Sequence, residues 1–148
     1  LKMSQLLPIM KQFLKKFTSV NNFDRLAAPV ELIAVNLDGK LKFQWTVDET
    51  QVNSYGTLHG GYTSFLADYT TSIALAAINN KNAGVSVDLS VTYLNPAKVG
   101  EIVFIETECK KLGKRLAFLE FQLKNSDGKL LATAKHTKFI GNETNLKD

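Results

Sequence analysis

Cysteine is nearly absent from this 148-residue chain. Cys109 is the only one, so no internal disulfide can form and a reducing compartment is expected. Long apolar runs are missing too: the longest, Ile73 to Ile78, falls far short of the roughly 20 residues that a membrane-spanning helix needs. No integral membrane association is therefore expected. Aromatic residues are not interleaved with basic ones, which sets nucleic acid aside although the net charge is +4. The lysines are scattered, apart from Lys110, Lys111, Lys114 and Arg115, a cluster that suits either phosphate groups or a solvated hairpin end. What remains is the profile of one folded domain, 45% hydrophobic and 22% charged, and long enough to bury a core.

Acidic residues are lacking at the N-terminus, where none precedes Asp24. Residues 1–22 have two readings. Basic and acid-free, they resemble a mitochondrial targeting segment. With Leu6, Ile9, Met10, Phe13 and Phe17 at helical spacing, they also suit an amphipathic helix packed on the domain. Cytoplasm and mitochondrion are the expected locations. The domain itself is expected over residues 23–141, with a C-terminal tail over 142–148.

"VELIAVN" and "KLKFQWTV" flank Asp38-Gly39, a hairpin signal. Leu41, Phe43, Trp45 and Val47 alternate with polar residues, as a half-buried strand requires. From Gly60 to about Asn79 the chain is apolar on nearly every side and has no glycine or proline after Gly61, which predicts a core helix. Four further strand patterns follow: "GVSVDLSVTYL", "EIVFIETEC", "RLAFLEFQLKN" and "KLLATAKHTKFI". Gly100, Gly113 and Asp127-Gly128 punctuate them. The order predicts an α+β fold, a curved antiparallel sheet of about six strands wrapped around one central helix, with an extra N-terminal helix.

Asp68 is the only charge in that central helix, and its neighbours Leu66, Ala67 and Tyr69 offer it no partner. An isolated buried carboxylate is costly, so a working one is expected there. Gly60 opens the helix. Its N–H has no intrahelical acceptor and lies at the positive end of the helix dipole, which suits a developing oxyanion; alternatively, Gly60 and Gly61 simply permit a tight turn. Asn53 is either a second donor to that oxygen or a turn former, and His59 orients Asn53 or the turn. Strand alternation places Ser86 on one polar face with Asp88, Ser90 and Thr92.

The pattern N-x-x-G-T-x-H-G-G at Asn53–Gly61, with an aspartate eight positions beyond the first glycine of the pair, resembles the hotdog-fold thioesterases of the phenylacetate-degradation branch. "GVSVDLSVTYLNPAKVGE", "GKRLAF" and "GKLLATAKHTKF" extend the likeness from about Phe23 to Gly141. The resemblance implies hydrolysis of acyl-coenzyme A, here of medium to long fatty chains, to free acid and coenzyme A. It implies no metal or organic cofactor, and homodimers with shared active sites that pair into tetramers. It makes Asp68 the general base or nucleophile, Gly60 and Asn53 the carbonyl-polarising pair, and Ser86 a water-placing residue. It puts Tyr93, Leu94, Asn95, Pro96, Ala97 and Lys98, together with Lys111, Leu112, Gly113, Lys114, Arg115 and Leu116, along the coenzyme A path. Lys98, Lys114 and Arg115 are its phosphate candidates, and His136 and Phe139 lie near the site. A hotdog dehydratase, with His59 as base, and a non-catalytic acyl-coenzyme A binding module are the alternatives.

One inference is geometric. Eight residues along a helix span about 12 Å, so a carbonyl held at Gly60 cannot also meet a water on Asp68 of the same chain. A second subunit must supply that aspartate.

Overall fold

The computed structural model describes residues 3–141; residues 1 and 2 and the tail expected over 142–148 lie outside the described residues. Helix α1 (Met3–Thr18) leads through a short 3-10 turn to strands β1 (Glu31–Val35) and β2 (Leu41–Thr46). Helix α2 (Gly60–Ile78) follows, and then β3 (Val85–Tyr93), β4 (Ile102–Leu112), β5 (Leu116–Asn125) and β6 (Leu130–Phe139). All pairings are antiparallel, in the order β1-β2-β4-β5-β6-β3, so β3 crosses to the far edge. The six strands curve around α2 as the sequence predicts.

Alternation builds the core. Leu41, Phe43, Trp45 and Val47 are all buried, and they meet Val103 and Ile105 of β4 and Leu119, Phe121 and Leu123 of β5 beneath α2. Burying each of the larger side chains stabilises the fold by about 1.5–3 kcal/mol before entropy is counted. On α2, Leu66, Ala67, Ile73, Ala74 and Leu75 face this core. Thr70 and Thr71 are buried beside them: the Thr70 hydroxyl donates to the Leu66 carbonyl one turn back at 2.7 Å, and Thr71 Oγ1 has a polar partner inside the fold, His136 Nδ1 at 2.7 Å.

Helix α1 departs from the expected stripe. Met10 and Leu14 are its buried residues, while Ile9 and Phe17 are exposed. The apolar face is wider than the contact it makes, and Phe13 and Phe17 stack edge to face at 4.9 Å along its open side. The helix rests against β1, where Lys11 Nζ donates to Glu31 Oε1 at 2.7 Å. β1 is only five residues long and is bulged between Leu32 and Ala34.

Candidate active site

The loop entering α2 is held from several sides. Buried Gln51 accepts from Trp45 Nε1 (3.0 Å) and the Asp48 N–H (3.1 Å), and donates to Tyr62 Oη. Leu58 N–H donates to the Ala97 carbonyl, and Thr57 bridges to Lys98. Asn53 is fixed within this frame: Oδ1 accepts from the N–H groups of Tyr55 (3.0 Å) and Thr57 (3.2 Å), and Nδ2 donates to Thr57 Oγ1 (3.0 Å). It is a turn former, and an amide nitrogen has two protons, so one is left to give.

His59 is the N-cap of α2, its Nδ1 accepting from the Gly61 N–H at 2.8 Å. Of its two expected tasks the geometry matches the second: it caps the turn, and among the described residues no hydrogen bond joins it to Asn53. Among the described residues nothing accepts from the Gly60 N–H, as the first helical position predicts. Neither glycine has a positive φ; both supply space. A Cβ on Gly61 would lie 3.0 Å from His59 Nδ1, and one on Gly60 3.2 Å from the Tyr93 ring. Tyr93 Oη donates to the Gly60 carbonyl (3.0 Å) and shares a 2.5 Å hydrogen bond with Ser64. Asn53, Gly60 and Tyr93 through Ala97 line one cleft of about 360 Å³.

Asp68 requires a correction. The sequence leaves it buried and without a partner; in the fold its side chain is 49% exposed and surrounded by polar groups. Oδ1 accepts from Ser86 Oγ at 3.0 Å and Ser72 Oγ at 3.5 Å, with His136 Nε2 at 3.5 Å and Lys138 Nζ at 3.8 Å. All but Ser72 come from strands far away in sequence, so local neighbours could not reveal them.

Ser86 requires another. A bulge between Ser86 and Asp88 breaks the alternation of β3: Ser86 pairs with Lys138, Asp88 with Thr137, Leu89 with His136. The extra residue, Val87, puts Ser86 on the helix-facing side with Leu89 and away from Asp88, Ser90 and Thr92. His136 is fully buried here. Its Nδ1 lies 2.7 Å from Thr71 Oγ1 and its Nε2 2.9 Å from Ser86 Oγ. The ionised carboxylate is the stronger acceptor for the single Ser86 proton, so Nε2 carries the ring proton and donates to Ser86. The relay then runs from Thr71 through His136 and Ser86 to Asp68.

Burial, reinforced by Lys138, pushes the His136 pKa down to about 4, against the opposing pull of Asp68 and Asp88. The imidazole is neutral at neutral pH. A folded-state pKa below the unfolded value of about 6.5 means that the stability is complete above that value. It is lost as the pH falls toward 4, where the unfolded chain binds a proton that the native one refuses. Between pH 7 and 5, urea unfolding of the wild type should therefore lose about 2 kcal/mol more than that of His136→Gln. Parallel pH dependences would show that His136 does not carry the acid sensitivity.

The expected residues fall into two groups. Gly60, Asn53, His59 and the Tyr93–Lys98 loop gather at one end of β3. Asp68, Ser86 and His136 gather at the other, bordered by the Lys111–Leu116 hairpin, where Ala117 pairs with Lys138 and the Ile140 N–H donates to the Arg115 carbonyl. Phe139 lies on the opposite sheet face from Lys138, with the Arg115 guanidinium 5.7 Å over its ring. From Asp68 an apolar groove of about 750 Å³ runs past Phe65, Ile73 and Leu89 to Phe13, Phe17 and Phe23. Lys138, Ser72 and Thr71 were missed in the sequence. For Lys138 a signal existed, since it continues the inward series Ala132, Ala134, His136.

No described helix is long and apolar enough to cross a membrane, and no cluster of metal-ligating side chains occurs among the described residues. Residues 55–132 match the model of the thioesterase superfamily. Acyl-coenzyme A thioesterase 13 of Homo sapiens is 38% identical over 141 residues, covering 95% of this chain and all of that protein. The crystal structure of zebra fish thioesterase superfamily member 2 is similar with a TM-score of 0.87 and 38% identity, covering 91% of this chain and 98% of that one. A Streptococcus pneumoniae thioesterase protein, crystallised with coenzyme A, is similar with a TM-score of 0.70 and 25% identity, over 75% of this chain and 87% of that one.

Proposed function

The chain belongs to the thioesterase superfamily, and on that premise we propose that it hydrolyses fatty acyl-coenzyme A, of medium to long chain, to a free fatty acid and coenzyme A. The observation that carries this reading is a carboxylate, Asp68, held by Ser86 at the mouth of an apolar groove. Asp68 takes a proton from water as the water oxygen bonds to the thioester carbon. The carbon–sulfur bond then breaks, and the thiolate of coenzyme A leaves and is protonated. Gly60 N–H and the second Nδ2 proton of Asn53 stabilise the carbonyl oxygen as it gains charge. The groove from Phe65 to Phe17 receives the acyl chain. The Tyr93–Lys98 loop and the Lys111–Leu116 hairpin flank coenzyme A, with Lys98, Lys114 and Arg115 at its phosphates. No cofactor is needed beyond the substrate itself.

The active unit of this reading is a homodimer. β3 is an edge strand with Val85 and Val87 exposed, and its two ends carry the two halves of the site. Antiparallel pairing of β3 with that of a second copy would set the Ser86 end of one chain beside the Tyr93 end of the other. Pairing of dimers into tetramers rests on the family likeness alone. A cytoplasmic or mitochondrial location is part of the same proposal, supported by the presence of a single cysteine. The dehydratase alternative is weakened by His59, whose Nδ1 is occupied in capping α2.

Thiol release from a series of acyl-coenzyme A esters of increasing chain length tests the reading. Turnover should be highest with medium to long chains; binding without thiol release would instead identify a binding module. In the same assay Asn53→Ala should lower kcat about 100- to 1,000-fold, a barrier increase of about 2.7–4 kcal/mol, because an oxyanion donor acts mainly in the transition state. A rise in KM alone would leave Asn53 a turn former only.

A further inference from the structure

Lys138 is buried to 3% exposure on the inner face of β6, in line with Ala132, Ala134 and His136. A hydrophobic side chain would fill such a position more cheaply, since an ammonium group loses its water there. Its surroundings say what the charge does. Nζ donates to Ser72 Oγ at 2.5 Å and lies 3.8 Å from Asp68 Oδ1, while Ser72 Oγ donates to the same Oδ1 at 3.5 Å. Ser86 stands opposite on β3 and Ala117 opposite on β5. His136 precedes it on the same face, and Lys81 lines the groove nearby. Burial pulls the ammonium pKa down and Asp68 pulls it up.

Every one of these contacts falls on one oxygen. Ser72, Ser86, His136 and Lys138 all approach Oδ1, and among the described residues none is within hydrogen-bonding reach of Oδ2. A carboxylate held in this way has one tethered atom and one with free lone pairs. We propose that Lys138, directly and through Ser72, is a positioning residue that anchors Asp68 by Oδ1 and so presents Oδ2 as the atom that receives the proton of the attacking water. This rests on Asp68 being the hydrolytic carboxylate. A half-exposed aspartate on a helix samples several rotamers, and a fixed cation behind it selects one.

The test is a double-mutant cycle on turnover. Lys138→Met should lower kcat about 10- to 30-fold and leave KM within about threefold, because the lost hold is on the reacting carboxylate and not on the substrate. Ser72→Ala, which keeps the cation, should cost about 3- to 5-fold. In an Asp68→Asn background, Lys138→Met should change kcat by less than about twofold, since there is no longer a carboxylate to position. A merely structural lysine would cost the same in both backgrounds, and that result would overturn the proposal. So would a folded Lys138→Met protein with wild-type kcat beside an inactive Asp68→Asn protein. If Lys138→Met does not fold, Ser72→Ala decides: an unchanged kcat overturns the anchoring role. An active Asp68→Asn protein would overturn the parent reading, and is recognised by that variant alone.

Discussion

Replacing Asp68 by Asn is expected to lower kcat between about 100- and 10,000-fold, the range that a positioned general base supplies. The substitution is close to isosteric. Its carbonyl oxygen can still accept from Ser86 and Ser72, so the local hydrogen bonds survive and the change isolates the basic oxygen and its charge. The Asp68 side chain is half exposed, so the fold should survive, at a cost in stability because the buried Lys138 ammonium loses its counter-charge. KM should move little, because the groove and the coenzyme A loops are untouched. Circular dichroism and steady-state thiol release on the same sample decide the matter. A folded protein with near-normal kcat would remove Asp68 from the chemistry.

The second large effect is a recovery. Asn53→Ala/Gly60→Pro chains lack both carbonyl donors, and Asp68→Asn chains lack the base, so each homodimer should be inactive. Proline is tolerated at the first helical position and removes an N–H that the helix does not use; its Cβ would sit 3.2 Å from the Tyr93 ring, which has to shift slightly to admit it. The preceding residue, His59, already has φ −67° and ψ 129°, the extended conformation that a residue before proline adopts. After subunit exchange, about half of the dimers are mixed. Each of these holds one site built wholly from intact parts, with Asn53 and Gly60 from one chain and Asp68 from the other. Activity should return to about a quarter of wild type if sites act independently. A mixture shown by mass to have exchanged, yet still inactive, would place each site within one chain.

The fold was legible because its signals are periodic and local. Alternation in Leu41–Val47 and the unbroken apolar stretch after Gly61 each reflect one burial pattern, and both recur in the structure. The site was legible in part. His59, Gly60, Gly61 and Asn53 sit within nine residues, so their mutual arrangement is a turn and reads as one. The surroundings of Asp68 did not read, because Ser86, His136 and Lys138 reach it across strand pairings 18 to 70 residues away in sequence. Ser86 misled for a definite reason. Period-two alternation has no memory of an inserted residue, and a single bulge at Val87 inverts the face of everything before it. The stripe on α1 misled in the opposite direction, since helical spacing marks an apolar face without saying how much of it is covered.

The two margins of the sheet differ in a way that bears on how large an assembly can grow. β1 is short, bulged and backed by α1, whereas β3 is nine residues long and bare along one side. Sheets that add strands at both margins polymerise; a sheet with one blocked margin cannot. Joining β3 margin to β3 margin would end strand addition at two copies, so any tetramer would form through other faces, while a head-to-tail ribbon would need the short, bulged β1 margin. In the proposed dimer, α1 against β1 would leave strand addition to the β3 margin, a consequence distinct from lining the groove.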